Sequence, residues 1–232
     1  MPPAFVPHLT WTFFAVDLIG VFAGALAGAL AAERRHEYDL IGVAGVSLAA
    51  GVGGGLLRDT LLQHGTPVAL VNPTYLLTVL VAVVLAWFFG WRAGARSEKA
   101  ILVMDALALG WYAVSSTLRT EDAGLGILPC LLLGVIGAVG GGICRDLLSG
   151  ETPRTFRTGE LYAVAALAGS ATFLALRLGH VPRPIPDLIG AAVGSGLRLL
   201  SLRFGWRAPL PPRAPTNPGV PRTGSRAEGN LD

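Results

Sequence analysis

Apolar positions along the chain come in seven runs of about 20 residues, each closed by charges, proline or a polar turn, the length an α-helix needs to cross a bilayer. They fall at about residues 11–32, 40–63, 74–91, 100–118, 127–148, 159–178 and 187–204. The first stops at Glu33-Arg34-Arg35-His36-Glu37, the second before Gly65-Thr66-Pro67, and the third in Arg92, Arg96 and Lys99. The fourth closes at Arg119-Thr120-Glu121-Asp122, the fifth before Gly150-Glu151-Thr152-Pro153, and a Pro-rich turn at 181–186 parts the sixth from the seventh. Asp17 interrupts the first run, and no Lys/Arg cluster precedes it, so it reads as a membrane helix and not as a cleaved signal. Past the seventh run almost nothing can be buried, which predicts a disordered tail over 205–232. The pattern predicts an all-α membrane protein with seven transmembrane helices in one domain, residues 1–204.

Composition agrees. Of 232 residues 52% are hydrophobic and 14% charged, against about 25% charged in a soluble domain. Mean hydropathy is +0.58. The net charge of +3 is carried in loops and tail, not along one helix face, which argues against a nucleic-acid partner. Cys130 and Cys144 lie fourteen positions apart on one expected helix, about 21 Å, too far to bond to each other. Loops after spans one, three and five carry Arg34, Arg35, Arg92, Arg96, Lys99, Arg154 and Arg157, and the tail adds more, whereas the opposite side holds Arg119, Arg177 and Arg183. Positive charge favours the cytoplasm, so the N-terminus is expected outside and the C-terminus inside.

The chain states one phrase twice, Gly53-Gly54-Gly55-Leu56-Leu57-Arg58-Asp59 and Gly140-Gly141-Gly142-Ile143-Cys144-Arg145-Asp146. A shift of 87 positions superposes the two and lays Tyr75 on Tyr162; with a one-residue adjustment Asp17 falls on Asp105 and Thr66-Pro67 on Thr152-Pro153. Each unit, about 11–91 and 100–178, holds three spans, so the second enters the membrane from the opposite side. Two inverted three-helix repeats and a seventh helix at about 187–204 result.

Glycine weakens a helix by about 1 kcal/mol relative to alanine, and a charge at the centre of a membrane helix costs roughly 2.5–3.5 kcal/mol on insertion scales. A triple glycine at mid-span can bend a helix or admit a close neighbour. Packing is the simpler use, as expected for Gly20-x-x-x-Gly24-x-x-x-Gly28 and Gly190-x-x-x-Gly194. The charges that follow favour a pathway. By depth, Asp17 matches Arg58 and Asp105 matches Arg145. Arg58 and Asp59 are set about 100° apart on a helix and are expected to need separate partners, with Asp59 and Asp146 pairing across the repeats or facing water. The alternative is that the six groups only fasten helices as buried ion pairs. Four aspartates against two arginines leave two negative charges unmatched, and a watery path so lined favours cations. Ser115-Ser116-Thr117 is read as hydrogen-bonding across helices. His8, His36, His64 and His180 lack metal-ligand spacing, and neither a nucleophile–base pair nor a P-loop is present, so no metal, cofactor or enzymatic activity is expected.

Asp17-Leu-Ile-Gly20, the two Gly-Gly-Gly…Arg-Asp phrases, their Thr-Pro followers and Asp105 together resemble the prokaryotic trimeric intracellular cation channel (TRIC) family over about residues 16–204. The resemblance implies a homotrimer in a prokaryotic inner membrane, each protomer carrying its own pore for K⁺ and Na⁺ along helices kinked at 53–55 and 140–142. Arg58, Asp59, Arg145 and Asp146 would then stand beside that pore, with Asp17 and Asp105 added by depth. Animal members of the family also carry a lipid-binding basic residue near the kink, a place for which Arg58 or Arg145 is a candidate. A secondary transporter of a small solute such as glycine, rocking on the same inverted repeat, is the alternative, and a transport-free scaffold is a third reading.

Overall fold

The computed structural model describes residues 11–34, 38–93, 96–157 and 161–206, with side chains at 91–97 left aside. The expected tail from residue 207 on lies outside the described residues, as do His8, Arg35, His36 and the expected start of the sixth span at 159. The described chain is helical: α1 (Trp11–Glu33), α2 (Leu40–Leu62), the short α3 (Val68–Val71), α4 (Thr74–Ala93), α5 (Arg96–Asp122), α6 (Ile127–Leu148), a 3₁₀ turn (Arg154–Phe156), α7 (Tyr162–Leu178) and α8 (Ile185–Phe204). The seven long helices match the seven expected spans. The short α3 and the 3₁₀ turn lie in loops read as plain turns, and α5 runs four residues past the expected end of its span.

Local sequence sets several helix ends. The Asp39 side chain accepts the Gly42 N–H at 2.7 Å and so starts α2, whose far end turns at Gln63 in the left-handed region with φ of 51°. Helix α8 opens with Pro186 and Asp187 in its first turn and closes at Gly205 with φ of 63°. Helices α1, α2, α5, α6 and α8 are long and apolar enough to cross a membrane, while Thr74–Gly90 and Tyr162–Leu178 are shorter apolar stretches. Counted to Ala93, α4 has 20 residues, about 30 Å at about 1.5 Å per residue, which matches a hydrocarbon core of about 30 Å, whereas the 17 residues of α7 reach about 25 Å.

Within the first unit α1 packs on α2 and α4, and within the second α5 packs on α6 and α7. The units run in opposite directions and join where α1 meets α5 and α2 meets α6, with α8 laid over α5 and α7. Small residues permit these approaches. A methyl group at Gly24 would lie 2.9 Å from the Ala50 carbonyl oxygen, and one at Gly194 would lie 3.1 Å from the Gly110 Cα, so the small-residue faces of α1 and α8 are packing surfaces as the spacing predicts.

The glycine triplets form the joint between the units. A Cβ at Gly54 would run into the Gly137 carbonyl oxygen, and one at Gly141 into that of Ala50. Helices α2 and α6 are each a single α-helix through their triplets, and the missing side chains at Gly54 and Gly141 serve backbone approach, one of the two uses expected of them. Gly54→Ala and Gly141→Ala, which place a methyl against backbone that cannot retreat, are each expected to cost about 1–3 kcal/mol in thermal unfolding of the detergent-solubilised protein. Gly45→Ala, on the same α2 with open space around it, is expected to be neutral or to stabilise by up to about 1 kcal/mol.

Candidate functional site

Arg58 sits in the last turns of α2 with its side chain 1% exposed. Burying a guanidinium in an apolar bundle requires acceptors on several of its five N–H groups. Nη1 donates to Asp17 Oδ1 of α1 at 3.1 Å, Nε donates to Asp59 Oδ1 at 2.8 Å, and the group stacks over the Phe13 ring at 5.5 Å. The second oxygen of Asp17 accepts the Tyr75 hydroxyl of α4 at 2.6 Å. Asp59 Oδ2 accepts the Val68 N–H at 3.0 Å, which ties the end of α2 to the start of α3. Arg119 completes the group from α5, with Nε 3.8 Å from Asp59 Oδ1 and Nη2 donating to the His64 carbonyl at 3.3 Å. Tyr112 donates to the Gly51 carbonyl nearby.

The second repeat builds the same arrangement. Arg145 Nη1 donates to Asp105 Oδ1 at 2.5 Å, Nε donates to Asp146 Oδ1 at 2.9 Å, and Asp146 Oδ2 accepts the Arg154 N–H at 2.8 Å. Tyr162 takes the place of Tyr75: its hydroxyl and Asp105 both border the space beside Gly142. Arg198 of α8 stacks on the Tyr162 ring at 4.7 Å. The Thr-Pro that follows each phrase now has a function. Proline has no N–H and fixes its own φ, so the first donor after it, on Val68 or on Arg154, is presented to the aspartate.

Depth along the spans pairs Asp17 with Arg58 and Asp105 with Arg145, and the structure holds both pairs. Two expectations are corrected. Arg58 does contact the adjacent Asp59, and Arg145 the adjacent Asp146, because a long guanidinium side chain curls back and the angle between Cβ atoms does not decide where its head lies. The two unmatched negative charges are also matched: Arg119 and Arg198, 5% and 1% exposed, stand beside the two clusters, and Arg154 acts on Asp105 as well. Sequence reasoning had set Arg119 in a loop and passed over Arg198, although an arginine in the middle of an apolar span was a signal available for it. Asp59 does meet the other repeat, through Arg119 of α5. Thr117 and Thr120 bond back to carbonyls of their own helix at 2.7 and 2.8 Å, and Ser115 to the Tyr112 carbonyl at 3.4 Å, not across helices as expected.

Within the first cluster lies a cavity of about 10 Å³ bordered by Asp17, Gly55, Arg58, Asp59, Tyr75 and Tyr112, which is room for about one water molecule. The third glycine of each triplet opens this kind of space. A Cβ at Gly55 would meet only Arg58 Nη2 at 3.7 Å, and Gly142 faces the Tyr162 hydroxyl and Asp105. Four aspartates and four arginines are thus buried in two related clusters beside the crossing of α2 and α6.

Two oppositely directed three-helix units with charged clusters beside their joint define an inverted-repeat membrane protein of the kind that moves small solutes or ions. A sequence model for a family described as glycine transporter matches residues 14–91 and 102–177. The UPF0126 membrane protein of Deinococcus radiodurans is 38% identical over 190 residues, 82% of this chain and 85% of the relative. The UPF0126 inner membrane protein YadS of Escherichia coli K12 is 33% identical over 198 residues, 84% and 93%. The TRIC trimeric intracellular cation channel orthologue from Rhodobacter sphaeroides superposes with a TM-score of 0.79 at 34% identity, over 84% of this chain and all of that one. This chain belongs to the prokaryotic TRIC family.

Removing one member of a buried ion pair leaves the other uncompensated, a loss of about 3–5 kcal/mol. Arg58→Gln is expected to destabilise by that order, and adding Asp17→Asn to it is expected to restore about 1 kcal/mol or more, the sign of a direct pair in a double-mutant cycle read by thermal unfolding.

Proposed function

We propose that the protein is a passive channel for monovalent cations, K⁺ and Na⁺, with a conduction path inside each protomer along α2 and α6. The observation that carries this reading is the pair of buried Asp-Arg-Asp-Tyr clusters, one in each inverted repeat, beside the crossing of those helices. Intramembrane ionisable groups mark ion pathways more often than they serve as fasteners. The likeness to a protein described as a cation channel over that protein's whole length lends support. In this reading residues 1–204 form the channel domain, with repeats at about 11–91 and 100–178 and the seventh helix at about 187–204. Gly53, Gly54, Gly55, Asp17, Arg58 and Asp59 line one half of the path, and Gly140, Gly141, Gly142, Asp105, Arg145 and Asp146 line the other.

The cavity of about 10 Å³ in the first cluster suits a closed conformation, since a hydrated ion needs far more space. Conduction then requires α2 and α6 to part near the triplets, where the closest contacts are backbone on backbone. The protein works without a cofactor or catalytic step, as a homotrimer in a prokaryotic inner membrane, with lipid around it, the N-terminus outside and the tail from 205 in the cytoplasm. The first cluster then faces the outer half of the bilayer and the second the inner half.

A second reading, transport of a small solute such as glycine, is favoured by the description of the matching family and by the near-closed cavity, which suits an occluded state equally. Flux through the purified protein in liposomes separates the two. A channel gives rapid passive K⁺ flux that exceeds Cl⁻ flux and is altered in Asp59→Asn and Asp146→Asn. Saturable, gradient-dependent glycine uptake without such flux would replace the channel by a transporter.

A further inference from the structure

The two repeats agree residue by residue in the aspartates, the first arginine and the tyrosine of their clusters and differ in the further cations around them. Arg119 has no repeat partner: the shift of 88 that lays Asp17 on Asp105 sets it on Ala31. Arg198 stands on α8, outside the repeat altogether. Yet each is a buried arginine brought to its cluster from another element. Arg119 lies 3.8 Å from Asp59, and Arg198 stacks at 4.7 Å on Tyr162, the residue that borders the Asp105 site. Without Arg119 the first cluster would hold two aspartates and one arginine, net −1, and with it the cluster is neutral. The second cluster also has Arg154 acting on Asp105, so Arg198 takes it from neutral to net +1. Two unrelated positions thus each add one positive charge to a cluster, at the expense of burying two more guanidinium groups. Arg119 is also held more loosely than the repeated arginines, at 3.8 Å against 3.1 Å or less for the ion pairs of Arg58 and Arg145.

We infer that Arg119 and Arg198 are the selectivity-setting residues of the proposed path, each adding one positive charge to a cluster and so raising the barrier that a cation meets there. This rests on the channel reading. In a poorly screened interior a single added or removed charge acts strongly on a nearby ion, so cations cross a cluster less readily for each positive charge added to it. The repeated residues build the path, and the two unrepeated arginines restrain it, one at each end.

The test is K⁺ conductance and the K⁺/Cl⁻ permeability ratio of Arg119→Gln and Arg198→Gln in planar bilayers, at low and at high ionic strength. Each variant is expected to raise both quantities several-fold at low ionic strength. The gain should shrink toward 1 M salt, where the screening length falls to about 3 Å. Arg119→Lys and Arg198→Lys, which keep the charge, are expected to behave as the unchanged protein does. A purely structural role would give no salt-dependent gain. Unchanged conductance and ratio in a conducting Gln variant overturn the inference, and so does a gain that the Lys variants share. Should Arg198→Gln not assemble, Arg119→Gln, placed at the other cluster, decides alone. A wild-type protein with no K⁺ conductance at all is a different result, and removes the channel reading on which the inference stands.

Discussion

A guanidinium inside a bilayer cannot rely on water, so its N–H groups must be met by protein. Arg58 meets that demand with two carboxylates, Asp17 from α1 and Asp59 from its own α2, and Tyr75 of α4 donates in turn to the second oxygen of Asp17. The aspartates then have oxygens left over, and these fix the connecting segments: Asp59 holds Val68 at the start of α3, as Asp146 holds Arg154 at the start of the 3₁₀ turn. A chain of polar contacts begun by one buried cation therefore ties α1, α2 and α4 together and holds the start of the loop that follows. The second unit repeats the solution with Arg145, Asp105, Asp146 and Tyr162.

The triplets solve a different problem beside the same clusters. Two units that run in opposite directions must meet along α2 and α6, and the closest contacts there are backbone on backbone, Gly54 on Gly137 and Gly141 on Ala50. Gly55 and Gly142, one position further along, face the charged clusters. Three consecutive glycines thus divide their work between close packing and room for polar groups. Beside these contacts the Leu57 side chain lies against Gly140 and that of Cys144 against Gly53, and this joint of small residues is where the proposed path opens.

Much of this was legible in the sequence because both signals are one-dimensional. Apolar run length locates spans, and the 87-residue shift exposes the repeat. Depth along a span then pairs Asp17 with Arg58 and Asp105 with Arg145. Other features depend on where a flexible side chain ends, which spacing does not encode. The curl of Arg58 onto its neighbour Asp59 is one such feature. Arg119 looked like a loop cation because the apolar run ends at Leu118, yet α5 continues to Asp122 and carries Arg119 inside. Arg198 vanished into the average of an apolar window. Glycine triplets are ambiguous in sequence because bending and close approach both use a missing Cβ, and the neighbours at Gly54 and Gly141 show close approach.

The central claim is that an ion path runs past the third glycine of the triplet. It is tested most directly by a Gly55→Cys variant in a background with Cys130 and Cys144 replaced by serine, exposed to a small cationic thiol reagent while K⁺ current is recorded. The account predicts that the reagent reaches the thiol and reduces the current as it attaches a positive charge beside Asp59. Current that continues unchanged after the thiol has been modified, or that flows while the reagent reaches the thiol from neither side, would contradict it.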